Sequence, residues 1–242
     1  MRNIYLAICI AFIPAAALAA ESTIKFDPVE VDLKDKSSLR RGARIFVNYC
    51  LSCHSAAYMR YDRMGRDLGI SEELVKENLM FATDKVGNLM TVTMPRADAE
   101  TWFGVAPPDL TLVTRSRGPQ WFYNYMRSFY RDPKSVSGWN NLHFPDVAMP
   151  NVLYGMQGVQ RAVFEPKEDG TKEFQGFEVE RPGAMTPKEF DQAMRDLTNF
   201  MVYLGEPARL VRGRIGVYVL IFLAVFVVFA YLLKRNYWKD IH

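Results

Sequence analysis

Hydrophobic positions divide the 242-residue chain into three stretches of different character. Residues 4–13 form an apolar run behind Met1-Arg2-Asn3, closed by Pro14 and small residues up to Ala20. A basic start, a short apolar core and Ala17-Leu18-Ala19 predict a secretory signal peptide over residues 1–19, too short for the ~20-residue span of a membrane helix. Residues 215–233 carry no charge and, at ~1.5 Å per residue, reach roughly 28 Å, which predicts a transmembrane anchor. Between them, residues 20–208 show helical spacing in several places. Ser37 or Ser38 can cap a helix to Tyr49 with Ile45, Phe46 and Tyr49 on one face. Further helices are expected from Ser71, over residues 97–103 and over the densely aromatic residues 118–130. Thr186-Pro187-Lys188-Glu189 is a capping box with proline at the first helical position, opening a helix that Gly205 ends. Residues 161–183 are polar and hairpin-like around Asp169-Gly170, a loop or β-ribbon insertion. The fold class expected is all-α with one C-terminal transmembrane helix.

Composition narrows the picture. A 49% hydrophobic and 24% charged chain is not a disordered tail, and three cysteines do not make a disulfide scaffold. The net charge of +3 is an average over unlike segments. Residues 20–208 hold 23 basic and 26 acidic groups, so the working domain is acidic and a nucleic-acid partner is not expected. An acidic face suits a basic protein partner, with Glu72, Glu73, Glu77, Glu165, Glu168 and Asp169 as candidates. The basic surplus belongs to targeting and to the anchor. Arg209, Arg212 and Arg214, in a juxtamembrane linker over residues 209–214, are matched by Lys234, Arg235 and Lys239 beyond the span, so loop charge does not orient the helix. The signal peptide does: it places residues 20–208 in the periplasm, the anchor in the lipid of a bacterial inner membrane, and residues 234–242 as a cytoplasmic stub.

The chemistry concentrates in Cys50-Leu51-Ser52-Cys53-His54. Two thiols two residues apart, followed at once by histidine, match the attachment motif of a c-type haem, one group covalently held. The thiols capture both porphyrin vinyl groups and the histidine turns toward the iron. A thioredoxin-like pair would sit near a βαβ pattern, and none is present. A zinc site wants four ligands, and with Cys9 in the signal peptide only Cys50, Cys53 and two other histidines remain. The sixth iron ligand of an electron carrier is usually a soft thioether. Met94-Pro95 and Met149-Pro150 both place a methionine before a helix-breaking proline; local pattern favours Met149, and His143 is a third candidate.

With Ser38-Leu39-Arg40-Arg41-Gly42 ahead of the haem motif, Trp102-Phe103-Gly104-Val105-Ala106-Pro107-Pro108-Asp109-Leu110-Thr111 after it, then Ala148-Met149-Pro150 and a single C-terminal span, the chain resembles the cytochrome c1 family. The resemblance covers essentially all of residues 20–242. It implies a cytochrome c-like haem domain with insertions, acting as the redox subunit of a quinol:cytochrome c oxidoreductase. It implies electron flow from a Rieske iron-sulfur protein to a cytochrome c acceptor, contact with cytochrome b through the anchor, and a dimeric complex. It makes Cys50 and Cys53 the attachment sites, His54 and Met149 the axial ligands, and Pro107-Pro108 part of the haem pocket. Arg117 becomes the partner of a haem propionate, with Arg115 as its substitute. The extra disulfide that some members carry near the ligand loop has no cysteines here. Two other classes stay open: a free-standing membrane-anchored cytochrome, and a five-coordinate haem peroxidase or gas sensor.

Overall fold

The computed structural model describes residues 25–167, 170 and 172–240; the expected signal peptide lies outside them. The chain order is helix α1 (Lys36–Ile45), a π turn (Phe46–Cys50), strand β1 (Ala56–Arg60), helices α2 (Tyr61–Leu68) and α3 (Glu72–Leu79), and strand β2 (Leu89–Met90). Helices α4 (Arg96–Phe103), α5 (Val113–Ser116) and α6 (Pro119–Arg127), strands β3 (Phe129–Arg131) and β4 (Trp139–Asn141) and helix α7 (Tyr154–Gln157) follow. Strands β5 (Gly158–Pro166) and β6 (Lys172–Pro182), helix α8 (Pro187–Gly205), a 3-10 turn (Pro207–Leu210) and helix α9 (Arg212–Trp238) complete it.

The scaffold is the crossing of α1 and α8. Leu39, Ala43 and Phe46 are fully buried against the α8 face carrying Met194, Leu197, Phe200 and Met201, with the Phe46 and Phe200 rings 5.6 Å apart. Backbones touch because residue 42 is glycine: a Cβ there would lie 2.1 Å from the Asp196 carbonyl oxygen. The buried carboxylate of the same Asp196 accepts from Arg41 Nε and Nη2 at 2.6 and 2.9 Å, from Ser38 Oγ at 2.7 Å and from Gln192 Nε2 at 3.1 Å. That hydrogen bond to Asp196 raises the Arg41 pKa above its ordinary value. A buried carboxylate is tolerable only with such partners.

The helix expected from Ser37 or Ser38 is instead capped by Asp35, whose carboxylate accepts the Ser37 and Ser38 N–H groups at 2.9 and 3.0 Å. A carboxylate also suits the positive end of the helix dipole, and the Ser38 hydroxyl is spent on Asp196. The capping box of α8 is present in both directions, Glu189 N–H to Thr186 Oγ1 and Thr186 N–H to Glu189 Oε2. Ser71 caps α3, as its sequence indicates. The aromatic helix expected over residues 118–130 stops at Arg127, because Phe129 to Arg131 pair with Trp139 to Asn141.

The domain is mostly helical but not all-α. Three two-stranded antiparallel ribbons interrupt it: β1 with β2, β3 with β4, and β5 with β6. The second is too short to leave a period-2 pattern in the sequence, and in the first the five-residue β1 has only the two residues of β2 to pair with. The third is the expected ribbon insertion, paired from Gly158 opposite Pro182 to Pro166 opposite Lys172. Its base closes on Gly158, at φ +95°, where a Cβ would lie 2.4 Å from the Arg181 carbonyl oxygen. Phe164, Phe174, Phe177 and Tyr130 give it an aromatic core of its own.

Helix α9 has 27 residues, starts before and ends after the uncharged stretch, and reaches a mean hydropathy of 2.8. At ~1.5 Å per residue it is roughly 40 Å long, enough to cross a ~30 Å hydrocarbon core with its charged ends in the interfaces. Every described residue of α9 except the half-buried Gly216 is exposed, as expected of a helix whose solvent is lipid.

The close approach at Gly42 sets a stability test. Gly42→Ala should force α1 away from α8 and cost about 1–3 kcal/mol, read as a lowered melting temperature of the haem domain. An unchanged melting temperature would contradict the packing.

Candidate functional site

Helix α1 widens into the π turn as it reaches Cys50, and the chain then folds back sharply. The Cys53 and His54 N–H groups both donate to the Cys50 carbonyl, at 3.0 and 2.8 Å, so the cysteines and the histidine share one turn. Cys50 and Cys53 are both free thiols; Cys50 is buried and Cys53 half-buried. Burial pushes the Cys50 thiol up to about 12. The His54 ring is buried, and desolvation lowers its pKa against the opposing effects of a hydrogen bond to Pro108 and the charge of Asp109.

That hydrogen bond fixes the imidazole. Nδ1 lies 2.7 Å from the Pro108 carbonyl oxygen, which can only accept, so Nδ1 carries the proton and Nε2 keeps its lone pair. Among the described residues Nε2 has no hydrogen-bond partner. The carbonyl is held in turn. Asp109 accepts from the Ala57 N–H at 2.7 Å and the Thr111 N–H at 2.8 Å, the Leu110 N–H donates to the Ser55 carbonyl at 2.8 Å, and Ser55 Oγ accepts the Val92 N–H at 2.9 Å. The residues just after the haem motif are thus stapled to the Pro107-Pro108 segment.

Met149 lies in a loop without regular structure that buried asparagines hold in place. Asn141 Oδ1 accepts the His143 and Phe144 N–H groups at 2.9 and 3.2 Å, and its Nδ2 donates to the Tyr125 carbonyl at 2.8 Å. Asn140 Oδ1 accepts the Asp146 N–H at 2.9 Å, where Asp146 takes a left-handed φ of 59°. Asn151 closes the far side by accepting the Leu153 N–H. Met149 packs on the same core cluster that contains Cys50, and its sulfur accepts the Tyr125 hydroxyl at 3.5 Å. Burial pushes the Tyr125 phenol well above its ordinary pKa. Of the other ligand candidates, His143 sets its ring against Phe26 at 4.7 Å, and Met94 is half-buried in the turn before α4.

The two arginines have different employment. Arg115 packs its side chain over Gly205 at the end of α8 and pairs with Glu206 at 3.9 Å. Arg117 has no carboxylate partner among the described residues; its guanidinium lies 5.2 Å from the centre of the Trp121 ring. Trp121 stacks on Tyr125 at 4.8 Å, so a continuous stack runs from Arg117 to the residue that touches Met149. The structure therefore groups Cys50, Cys53, His54 and Pro108 directly, with Pro107 half-buried beside them, and groups Arg117 with Met149 through Trp121 and Tyr125. Sequence reasoning assigned no role to Asp109, although an aspartate after proline is a turn signal. It also left Tyr125 within a general aromatic cluster.

The donor set fits a covalently held haem: two free thiols on one turn, an imidazole whose tautomer frees Nε2, and a soft thioether held by its own loop. Comparison with known proteins agrees. Residues 30–241 match the model of the Cytochrome C1 family. The chain is 48% identical, over the full length of both proteins, to cytochrome c1 of Allochromatium vinosum. It is 46% identical, again over the full length of both, to a protein of Nitrosomonas europaea named ammonia monooxygenase gamma subunit. It is 26% identical to cytochrome b/c1 of Bradyrhizobium diazoefficiens, matching 86% of this chain and 34% of that one. The chain belongs to the cytochrome c1 family, membrane-anchored electron-transfer subunits of the cytochrome bc1 complex that carry one covalently attached haem c.

Proposed function

We propose that this chain takes electrons from a Rieske iron-sulfur protein and passes them to a cytochrome c acceptor. In this reading Cys50 and Cys53 would form the thioether links, His54 Nε2 and Met149 Sδ would hold the iron, Pro107 and Pro108 would wall the pocket, and Arg117 would hold a propionate. The observation that carries it is the buried His54 ring with Nδ1 committed to the Pro108 carbonyl at 2.7 Å, directly after two free thiols on the same turn. The haem supplies a one-electron iron couple. The protein supplies a ligand set that need not change between oxidation states: the Asp109 staple holds His54, and the asparagine-bound loop holds Met149. Constant ligation keeps reorganisation small and leaves no position for oxygen or peroxide, which argues against the peroxidase and sensor alternatives.

The same reading places the haem domain in the periplasm of a bacterium, α9 across the inner membrane and its C-terminal end in the cytoplasm. It makes cytochrome b the partner of α9 and the assembly dimeric. The relative named cytochrome b/c1 supports the pairing, because the match takes up only 34% of that chain. For acceptor docking, Glu72 is paired with Lys76 at 2.7 Å, and Glu165 faces Glu173 across the ribbon, where Glu173 is itself paired with Lys167 at 3.5 Å. Glu168 and Asp169 lie outside the described residues. The relative named for ammonia monooxygenase favours a second reading, in which the same electron carrier serves a different oxidoreductase.

Three results are expected. The reduced native protein should not bind carbon monoxide, and rapid formation of a carbon monoxide adduct would show an open coordination position. Arg117→Leu should lower the haem reduction potential, while Arg115→Leu should lower stability with the potential held; the reverse pattern would assign the propionate to Arg115. Mild-detergent purification should bring a cytochrome b and an iron-sulfur protein with the chain. Copurification of monooxygenase subunits in their place would establish the second reading.

A further inference from the structure

Tyr125 makes an unusual use of a polar group. Its ring is enclosed by aromatic neighbours: Trp121 stacked at 4.8 Å, Phe129 edge-on at 5.1 Å and Phe144 edge-on at 6.5 Å. A half-buried tyrosine hydroxyl ordinarily finds an oxygen or nitrogen partner, because sulfur is a weak acceptor. Here the partner is the Met149 sulfur at 3.5 Å, within the range for a hydrogen bond to sulfur, and among the described residues it is the hydroxyl's only one. The pairing is also over-determined. Asn141 Nδ2 holds the Tyr125 carbonyl at 2.8 Å while Asn141 Oδ1 holds the His143 and Phe144 N–H groups of the methionine loop. One buried side chain thus fixes donor and acceptor against each other.

We propose that Tyr125 is a positioning residue for the redox centre: its hydroxyl donates to the Met149 sulfur, fixes the thioether and sets how strongly that sulfur donates to iron. The inference rests on Met149 being the axial ligand. A hydrogen bond draws electron density from sulfur. Ferric iron, the stronger Lewis acid, loses more by that than ferrous iron does, so the bond favours the reduced state and raises the reduction potential. Hydrogen bonding near the iron is one of the levers by which a protein tunes a haem. Trp121 and Tyr125 are one turn apart on α6 and the Arg117 guanidinium lies over the Trp121 ring, so the residue proposed for the propionate and the residue against the Met149 sulfur are stacked through Trp121.

The test compares full-length, detergent-solubilised holoprotein with Tyr125→Phe. The variant should keep the near-infrared sulfur-to-iron band of the oxidised protein at a shifted energy, and should have a lower potential. The expected change in the one-electron equilibrium is threefold to tenfold, and a tenfold change corresponds to about 59 mV. Site-specific 3-fluorotyrosine at position 125, a stronger donor of nearly the same shape, should move the potential the other way. It also provides the test if Tyr125→Phe does not fold. Shifts of opposite sign are not produced by a residue that merely packs. If the band is present in the native protein but band and potential are unmoved in both variants, Tyr125 does not tune Met149. If the native oxidised protein lacks the band, the Met149 assignment itself fails.

Discussion

The hydrogen bond between His54 Nδ1 and the Pro108 carbonyl does two things at once. It gives a buried imidazole a partner, without which the ring would be costly to desolvate, and it selects the tautomer whose free lone pair is on Nε2. A carbonyl preceding Asp109 is well suited to the task, because the aspartate side chain returns to the backbone on either side of the turn, at Ala57 and Thr111. The acceptor is therefore as rigid as the ring it orients. On the proposed assignment of His54 to the iron, a ring that cannot rotate would contribute little reorganisation when the iron changes charge.

The remaining packing serves to bring that turn and the methionine loop to a single core. Helix α1 delivers the cysteines and is pressed onto α8 at Gly42, with Asp196 satisfying the polar groups that such close contact buries. Helix α8 then leads through a short 3-10 turn into the anchor. Glu206 stands at this neck and is shared by Arg115 of α5 and Arg212 at the start of α9. The haem domain is thus tied by charge pairs to the base of its membrane helix, with only six residues between α8 and α9.

Much of this was legible in the residues. Periodicity and capping chemistry located α3, α4 and α8, and an uncharged run located α9, because each signal is local. The cysteine–cysteine–histidine spacing is local in the same way, and the structure puts those three residues on one turn. What the sequence concealed depends on partners distant in the chain. Ser37 and Ser38 both look able to cap α1, but Asp35 takes that place and the Ser38 hydroxyl is spent on Asp196, 158 residues away. Strands of two or three residues, such as β2, β3 and β4, are fixed by pairing rather than by pattern, and the five-residue β1 pairs only with the two residues of β2, so none left a signal and the aromatic helix was drawn too long. Arg115 and Arg117 are indistinguishable as neighbours in sequence; Glu206 and Trp121 separate them. Tyr125 was visible as an aromatic among aromatics, and only the fold set its hydroxyl against a sulfur.

The central claim is that His54 and Met149 together hold one six-coordinate haem. Methyl-labelled methionine in the reduced holoprotein tests it most directly, because the ring current of the porphyrin displaces the methyl resonance of an axial methionine far upfield. The account predicts one such resonance, absent in Met149→Leu and retained in Met94→Leu. A displaced resonance that survives Met149→Leu, or that vanishes in Met94→Leu, would contradict it.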